Sequence, residues 1–161
     1  MRNEISFRFA EEKDAGIILS FIRNLAEYED MSHEVVATEE LLREWIFEKQ
    51  MAEVLFAMED GREAGFALFF HNFSTFLGRA GLYLEDLYVL PACRGRGIGK
   101  ALLARLAKLA VERGCGRLEW ACLDWNKPSI DIYLSQGALP MEDWTTYRMT
   151  GESLRTLANE V

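Results

Sequence analysis

The chain has 161 residues, half of them hydrophobic, which is one domain's worth of sequence with enough apolar material for a real core. Eighteen basic against 26 acidic residues leave a net charge of −8, which excludes a general nucleic-acid binder and a protein that docks on anionic lipid, since both need a basic face. The charge is uneven: residues 1–60 carry −9, residues 61–100 carry +2 and residues 101–161 carry −1.

Along the chain, Ile5, Phe7 and Phe9 alternate with Ser6 and Arg8 and predict a half-buried strand. Asp14 is placed to cap a helix with the apolar stripe Ile18, Phe21, Ile22 and Leu25. After a polar stretch, Thr38 opens a second helix, with Glu39 and Glu40 at its positive end and Leu41, Leu42, Trp45 and Ile46 as its expected buried face. The apolar runs Val54–Met58 and Ala64–Phe70 flank Asp60-Gly61, a hairpin signature. Leu82–Leu90 predicts a further strand, stopped by Pro91. A helix follows with Ile98, Leu102, Leu106 and Leu109 on one face and Gly114 at its end. Leu118, Trp120 and Cys122 alternate as a strand; Asn126-Lys127-Pro128 opens a short helix that ends at Gly137. Residues Trp144–Met149 predict a last strand and Ser153–Ala158 a terminal helical turn or two. The order reads as an α+β domain spanning 1–161, with two crossover helices in its second half.

Three cysteines, Cys93, Cys115 and Cys122, with no Cys-x-x-Cys spacing, predict reduced thiols and a cytoplasmic protein. Residues Met1 to Asp14 are charged throughout and lack the apolar stretch of a signal peptide, and no run approaches the roughly 20 apolar residues of a membrane span. His33 and His71 are the only histidines, so no metal site is expected.

The segment Arg94-Gly95-Arg96-Gly97-Ile98-Gly99-Lys100 carries the most chemistry. Three alternating glycines between a strand and a helix let backbone N–H groups converge at a helix N-terminus, which suits a phosphate or pyrophosphate. Arg94, Arg96 and Lys100 make this the basic island of the charge map. A P-loop would need Gly at position 94 and Ser or Thr at 101, where Arg94 and Ala101 stand. A dinucleotide fingerprint needs Gly-x-Gly-x-x-Gly after the first strand of a βαβ series, and neither the spacing nor the strand fits.

Arg94-x-x-Gly97-x-Gly99 after Leu87-Tyr88-Val89 resembles the acetyl-CoA motif of the GNAT superfamily of N-acetyltransferases. Leu25-Ala26-Glu27-Tyr28-Glu29, Tyr83-Leu84-Glu85-Asp86 and Leu123-Asp124-Trp125-Asn126 through Tyr133 and Gly137-Ala138 resemble its diamine branch, the spermidine/spermine and thialysine N-acetyltransferases. Phe76 stands roughly where the polyamine enzymes carry a tryptophan, and Leu123-Asp124-Trp125 looks more like the thialysine branch. The resemblance implies a mixed, mostly antiparallel sheet of six to seven strands flanked by about four helices, acetyl-CoA as co-substrate, a small cationic amine as acceptor, and a homodimer.

Acetyl transfer from a thioester to an amine needs a neutral amine, a donor to the carbonyl oxygen and a proton for the departing thiolate. Glu85 and Asp86 are adjacent, so a regular strand sends them to opposite faces while a bulge would aim both at one cleft. Glu85 is the expected proton acceptor, through water, and Asp86 the ammonium anchor. Tyr133 is the expected general acid, two helical turns after Asn126 and able to share its face. The resemblance gives Asn126, Ser129 and Tyr133 to the coenzyme. It gives the main chain of Leu87, Tyr88 and Val89 to the pantetheine, and Arg94, Gly95, Arg96, Gly97, Ile98, Gly99 and Lys100 to the pyrophosphate. Tyr28, Glu29 and Asp30, from the acidic third, and Glu119 are expected at the amine, with Glu142 or Asp143 as further carboxylates. Two other readings compete: a protein lysine or N-terminal acetyltransferase of the same fold, and a non-catalytic acyl-CoA-binding module.

Overall fold

Five strands form one sheet in chain order, β1 (Ile5–Phe9), β2 (Glu53–Glu59), β3 (Arg62–Ser74), β4 (Arg79–Val89) and β5 (Leu118–Trp120). The computed structural model describes residues 4–161; the first three residues of the charged N-terminal stretch lie outside the described residues. The pairs β1–β2, β2–β3 and β3–β4 are antiparallel and β4–β5 is parallel. The expectation of six to seven strands is therefore corrected to five among the described residues. Trp144–Met149, expected as a strand, takes no regular structure; Trp144 and Tyr147 are exposed and no ladder partner is present for that segment among the described residues. Among the described residues five helices form: α1 (Ala15–Tyr28), α2 (Glu39–Leu42), α3 (Ile98–Glu112), α4 (Lys127–Ser135) and α5 (Gly151–Ala158).

The chain divides into two compact units, Met1–Ala121 and Cys122–Val161. The first holds the sheet with α1, α2 and α3. On one sheet face, Ile18 and Phe21 of α1 pack with Ile46, Val54, Phe56, Phe66 and Tyr88, and the Phe21 ring stacks on Phe66 with centroids 5.0 Å apart. On the other, Ile98, Leu102 and Leu106 of α3 are fully buried. Burial of each such side chain stabilises by roughly 1.5–3 kcal/mol.

Asp60 and Gly61 both have positive φ, 52° and 75°, as a two-residue hairpin that matches strand twist requires. Helix α3 closes as expected on Gly114, at φ 73°, with Cys115 N–H donating to Ala110 C=O and Gly114 N–H to Val111 C=O. Two expectations fail locally. Asp14 does not cap α1 through its side chain; it is 3% exposed and takes two hydrogen bonds from Arg8 and one from the Glu11 N–H. Arg8 also reaches Glu63 at 2.7 Å. Buried charge is held by a matching ion rather than spent on a helix end. Second, α2 continues into a wider turn at Arg43–Glu48, where Lys49 N–H donates five residues back to Glu44 C=O. The shift of period buries Ile46 but leaves Leu41 and Trp45 partly exposed, with Lys49 Nζ 3.9 Å above the Trp45 ring.

In the second unit, Thr150 precedes α5 and Pro128 sits in the first turn of α4. The Lys127 ammonium pairs with Asp131 one turn on.

Candidate active site

The site begins where β4 changes register. Leu68 of β3 opposes Asp86 while Phe69 opposes Leu84, so Glu85 is an extra, unmatched residue. This is a β-bulge, and it resets which way the following side chains point. Leu68 packs against the α1-side core, so Asp86, directly across from it, shares that face. A regular strand would have turned Asp86 to the same side as Leu84. The bulge places Asp86 within electrostatic range of both Glu85 and Glu29, the residue that ends α1. Burial and these two neighbouring carboxylates push the Asp86 carboxyl up to about 6. Burial also raises the Glu29 carboxyl. Asp86 thus lies in the field of two further carboxylates, which favours positive charge beside it.

The acidic group extends along β4. Burial, Glu85 and Glu119 raise the Tyr83 phenol. Glu119 stands beside Tyr83 in the parallel ladder and accepts a hydrogen bond from Asn72 Nδ2 at 3.2 Å. Sequence reasoning missed Tyr83; its alternation with Glu85 along the strand was the available signal. Asp30 has a backbone role, holding φ 57° just past the end of α1 while Met31 N–H reaches back to Ala26 C=O. Glu142 and Asp143 lie in an exposed turn of the second unit.

Beyond the bulge, β4 has a strand partner on one side only. Its pairing with β5 stops at Leu84–Trp120. Leu90 N–H bonds Ala64 C=O, and the alternation of an antiparallel ladder then directs the main-chain groups of Leu87 and Val89 away from β3. These are the groups an extended ligand amide could pair with. The Val89 C=O on this edge accepts from Arg94 Nε at 3.0 Å.

The edge leads into the glycine turn. Gly95 and Gly97 both have φ 79°, and Gly97 is the residue before α3. Nothing stands within 4 Å of where a Cβ would project from either, so their absence of side chains serves backbone conformation and leaves the approach open. Among the described residues, no protein acceptor is found for the N–H groups of Gly95 to Lys100. The 15-residue α3 adds its positive end. Arg96 is engaged by the protein itself, through Glu59 at 2.6 Å and the Ala92 C=O at 2.9 Å. Arg94 lies over the Tyr28 and Tyr88 rings, at 5.3 and 5.1 Å.

In the second unit, Asn126, Ser129 and Tyr133 fall at spacings of three and four, on one face of α4. Asn126 occupies the position before the helix, where its side chain ordinarily caps, yet it makes no cap bond. Its Oδ1 is buried with no hydrogen-bond partner, a group that a ligand donor would satisfy. In the first unit, the unpaired strand edge and the open glycine turn fit a ligand with amides and a pyrophosphate. Among the described residues no group of three His, Cys, Asp or Glu side chains is placed to hold a metal ion, and no helix is long and apolar enough to cross a membrane.

Residues 20–138 match the Acetyltransferase (GNAT) family, and the chain belongs to that family. It is 39% identical over 168 residues to thialysine N-epsilon-acetyltransferase of Bos taurus, covering 97% of this chain and 98% of that one. It is 33% identical to spermidine/spermine N(1)-acetyltransferase-like protein 1 of Homo sapiens, over 95% of this chain and 24% of that one. Among solved structures, an integron cassette protein from the mobile metagenome of V. cholerae superposes with a TM-score of 0.79 at 27% identity, covering 98% of both chains. A predicted acetyltransferase from Clostridium acetobutylicum, solved with acetyl-CoA, shares the fold with a TM-score of 0.74 at 20% identity, over 90% of this chain and 96% of that one.

Proposed function

We propose that this acetyltransferase moves the acetyl group of acetyl-CoA directly to a primary amine of a small cationic substrate, a diamine, polyamine or thialysine-like compound. The observation that carries the reading is the bulge that turns Asp86 onto the α1 side of the sheet, in electrostatic range of Glu29 and Glu85, beside the open edge of β4. At an effective dielectric of about 20, an ammonium ion 4 Å from one carboxylate gains roughly 4 kcal/mol before desolvation. Asp86 with Glu85 and Glu29 in electrostatic range favours a substrate with more than one positive charge. The relatives named for thialysine and spermidine/spermine acetylation support the same substrate class.

Acetyl-CoA supplies the activated acyl group. The N–H groups of Gly95 to Lys100, with Arg94 and Lys100, would hold its pyrophosphate. The outward main-chain groups of Leu87 and Val89 would pair with its amides, and Asn126 and Ser129 are proposed as further coenzyme contacts. A primary amine has an ordinary pKa near 10, so at pH 7 about one molecule in a thousand is neutral. Asp86 and Glu29 anchor the ammonium group, while exposed Glu85 accepts the proton through water. Tyr133 delivers a proton to the departing thiolate.

The 161 residues would act as one catalytic domain. Three half-buried cysteines held as thiols are in keeping with the cytoplasm. Phe73, Phe76 and Leu77, exposed around the β3–β4 turn, offer an apolar surface to a second copy in a homodimer.

Incubation with acetyl-CoA and a panel of diamines, thialysine and lysine peptides tests the proposal. Thiol release with a small amine heavier by one acetyl group is the expected result. Turnover of peptides alone, or coenzyme binding with no turnover of any amine, would overturn it.

A further inference from the structure

Arg94 already lies where an ammonium ion would lie. Its guanidinium carbon is 5.3 Å from the centre of the Tyr28 ring and 5.1 Å from that of Tyr88. The two rings meet edge to face with centroids 6.5 Å apart. Two aromatic faces turned toward one cation form a recognisable subsite for positive charge. Tyr88 is 8% exposed and so fixed in place, while Tyr28 is 43% exposed and open to an incoming ligand. Glu29 follows Tyr28 directly and contributes one of the three carboxylates of the acidic group. The subsite therefore combines π faces with nearby negative charge, and the protein's own cation is seated in it.

The same side chain occupies a second position of value. Arg94 Nε donates to the Val89 C=O, one of the main-chain groups on the open edge of β4. A ligand amide cannot use that carbonyl lone pair while Arg94 holds it. Arg94 also opens the glycine turn that precedes α3, so a phosphate bound there is within reach of its stem. A pyrophosphate offers the guanidinium bidentate bonds between opposite charges in place of a single bond to a neutral carbonyl.

We infer that Arg94 is a placeholder cation: it occupies the Tyr28–Tyr88 ammonium subsite until the coenzyme's phosphates draw it away, so that coenzyme binding opens the site to the amine. The inference rests on the proposed reading of the glycine turn and of the amine substrate. It assigns Tyr28 and Tyr88 to the ammonium group through their ring faces, and makes Arg94 a positioning residue between two half-sites. Coupling of this kind is reciprocal, so a bound diamine must tighten coenzyme binding by the same factor.

Calorimetry with putrescine and with coenzyme A lacking the acetyl group tests this without turnover. The wild-type protein is expected to bind putrescine at least about tenfold tighter when saturated with coenzyme A, a difference of about 1.4 kcal/mol. Arg94→Met is expected to bind putrescine without coenzyme about as tightly as the loaded wild type, with the gap shrinking to about twofold or less. A second variant keeps the test independent of any damage at Arg94: Tyr28→Leu removes one ring and should weaken putrescine binding to the loaded protein roughly fivefold. Persistence of the full gap in Arg94→Met, or unchanged putrescine affinity in Tyr28→Leu, would overturn the inference while leaving the proposed function standing. Coenzyme binding with no putrescine binding in any state would also overturn the inference, whereas the proposed function falls only if no small amine of the panel is acetylated.

Discussion

The Asp86 carboxyl titrates at about 6 because it is half-buried and faces Glu85 and Glu29. A carboxyl raised in the folded state binds more protons there than in the unfolded chain. Its contribution to stability is therefore present below the ordinary value of 3.8 and lost as pH rises to about 6. Two units correspond to about 3 kcal/mol at most. Asp86→Asn should stabilise the protein by about 1–3 kcal/mol at pH 7.5 and change little at pH 4, as measured by urea unfolding at the two pH values. An Asn variant no more stable at pH 7.5 would show that the carboxylate is already satisfied. The same titration sets substrate binding: as pH falls through about 6, Asp86 gains a proton and its hold on an ammonium group weakens. The diamine KM should rise on that side, and the dependence should vanish in Asp86→Asn. Tyr133→Phe belongs at this scale too; kcat should fall by about tenfold or more, as expected of a lost general acid, with the acetyl-CoA KM little changed. An unchanged kcat would remove Tyr133 from the proposed chemistry.

The ends of α3 separate conformation from function. Gly97 and Gly114 both sit in the left-handed region, at φ 79° and 73°, and alanine at either costs roughly 1–2 kcal/mol. Gly97→Ala should lower stability and also raise the Kd for coenzyme A, because it disturbs the turn that presents free N–H groups. Gly114→Ala should lower stability alone. Equal coenzyme affinity in the two variants, measured by calorimetry, would remove the glycine turn from the binding site. Most elements were legible in the sequence for physical reasons that are visible in the structure. Asp60-Gly61 and Gly114 announce their positive φ angles, and the apolar stripe of α3 announces its buried face. Elements were misread where one local signal met a stronger tertiary partner. Asp14 has the chemistry of a cap, but Arg8, distant in no local pattern, claims it. Polar His71 and Asn72 hide the last third of β3, whose partners are supplied by β4. The wide turn after α2 shifts the helical period, which no count of apolar spacing anticipates.

Across the whole molecule, the charge map separates two tasks. The acidic third contributes Glu29 at the end of α1, while the basic island is the strand edge and glycine turn. The sequence made the residue types of the site legible, together with their family pattern. It left open the bulge at Glu85 that re-aims Asp86, the seating of Arg94 on two tyrosines, and the unpaired Asn126 carbonyl, since each depends on contacts between elements remote in sequence. If the acidic group selects the amine and the basic island holds the coenzyme, the two Michaelis constants respond to different residues. The direct measurement is steady-state kinetics of Glu29→Gln and Asp86→Asn at pH 7.5, with a diamine and acetyl-CoA varied in turn. The account predicts a diamine KM raised by about tenfold or more, equivalent to about 1.4 kcal/mol, with the acetyl-CoA KM nearly unchanged. Equal loss for both substrates, or no loss for the diamine, would contradict it.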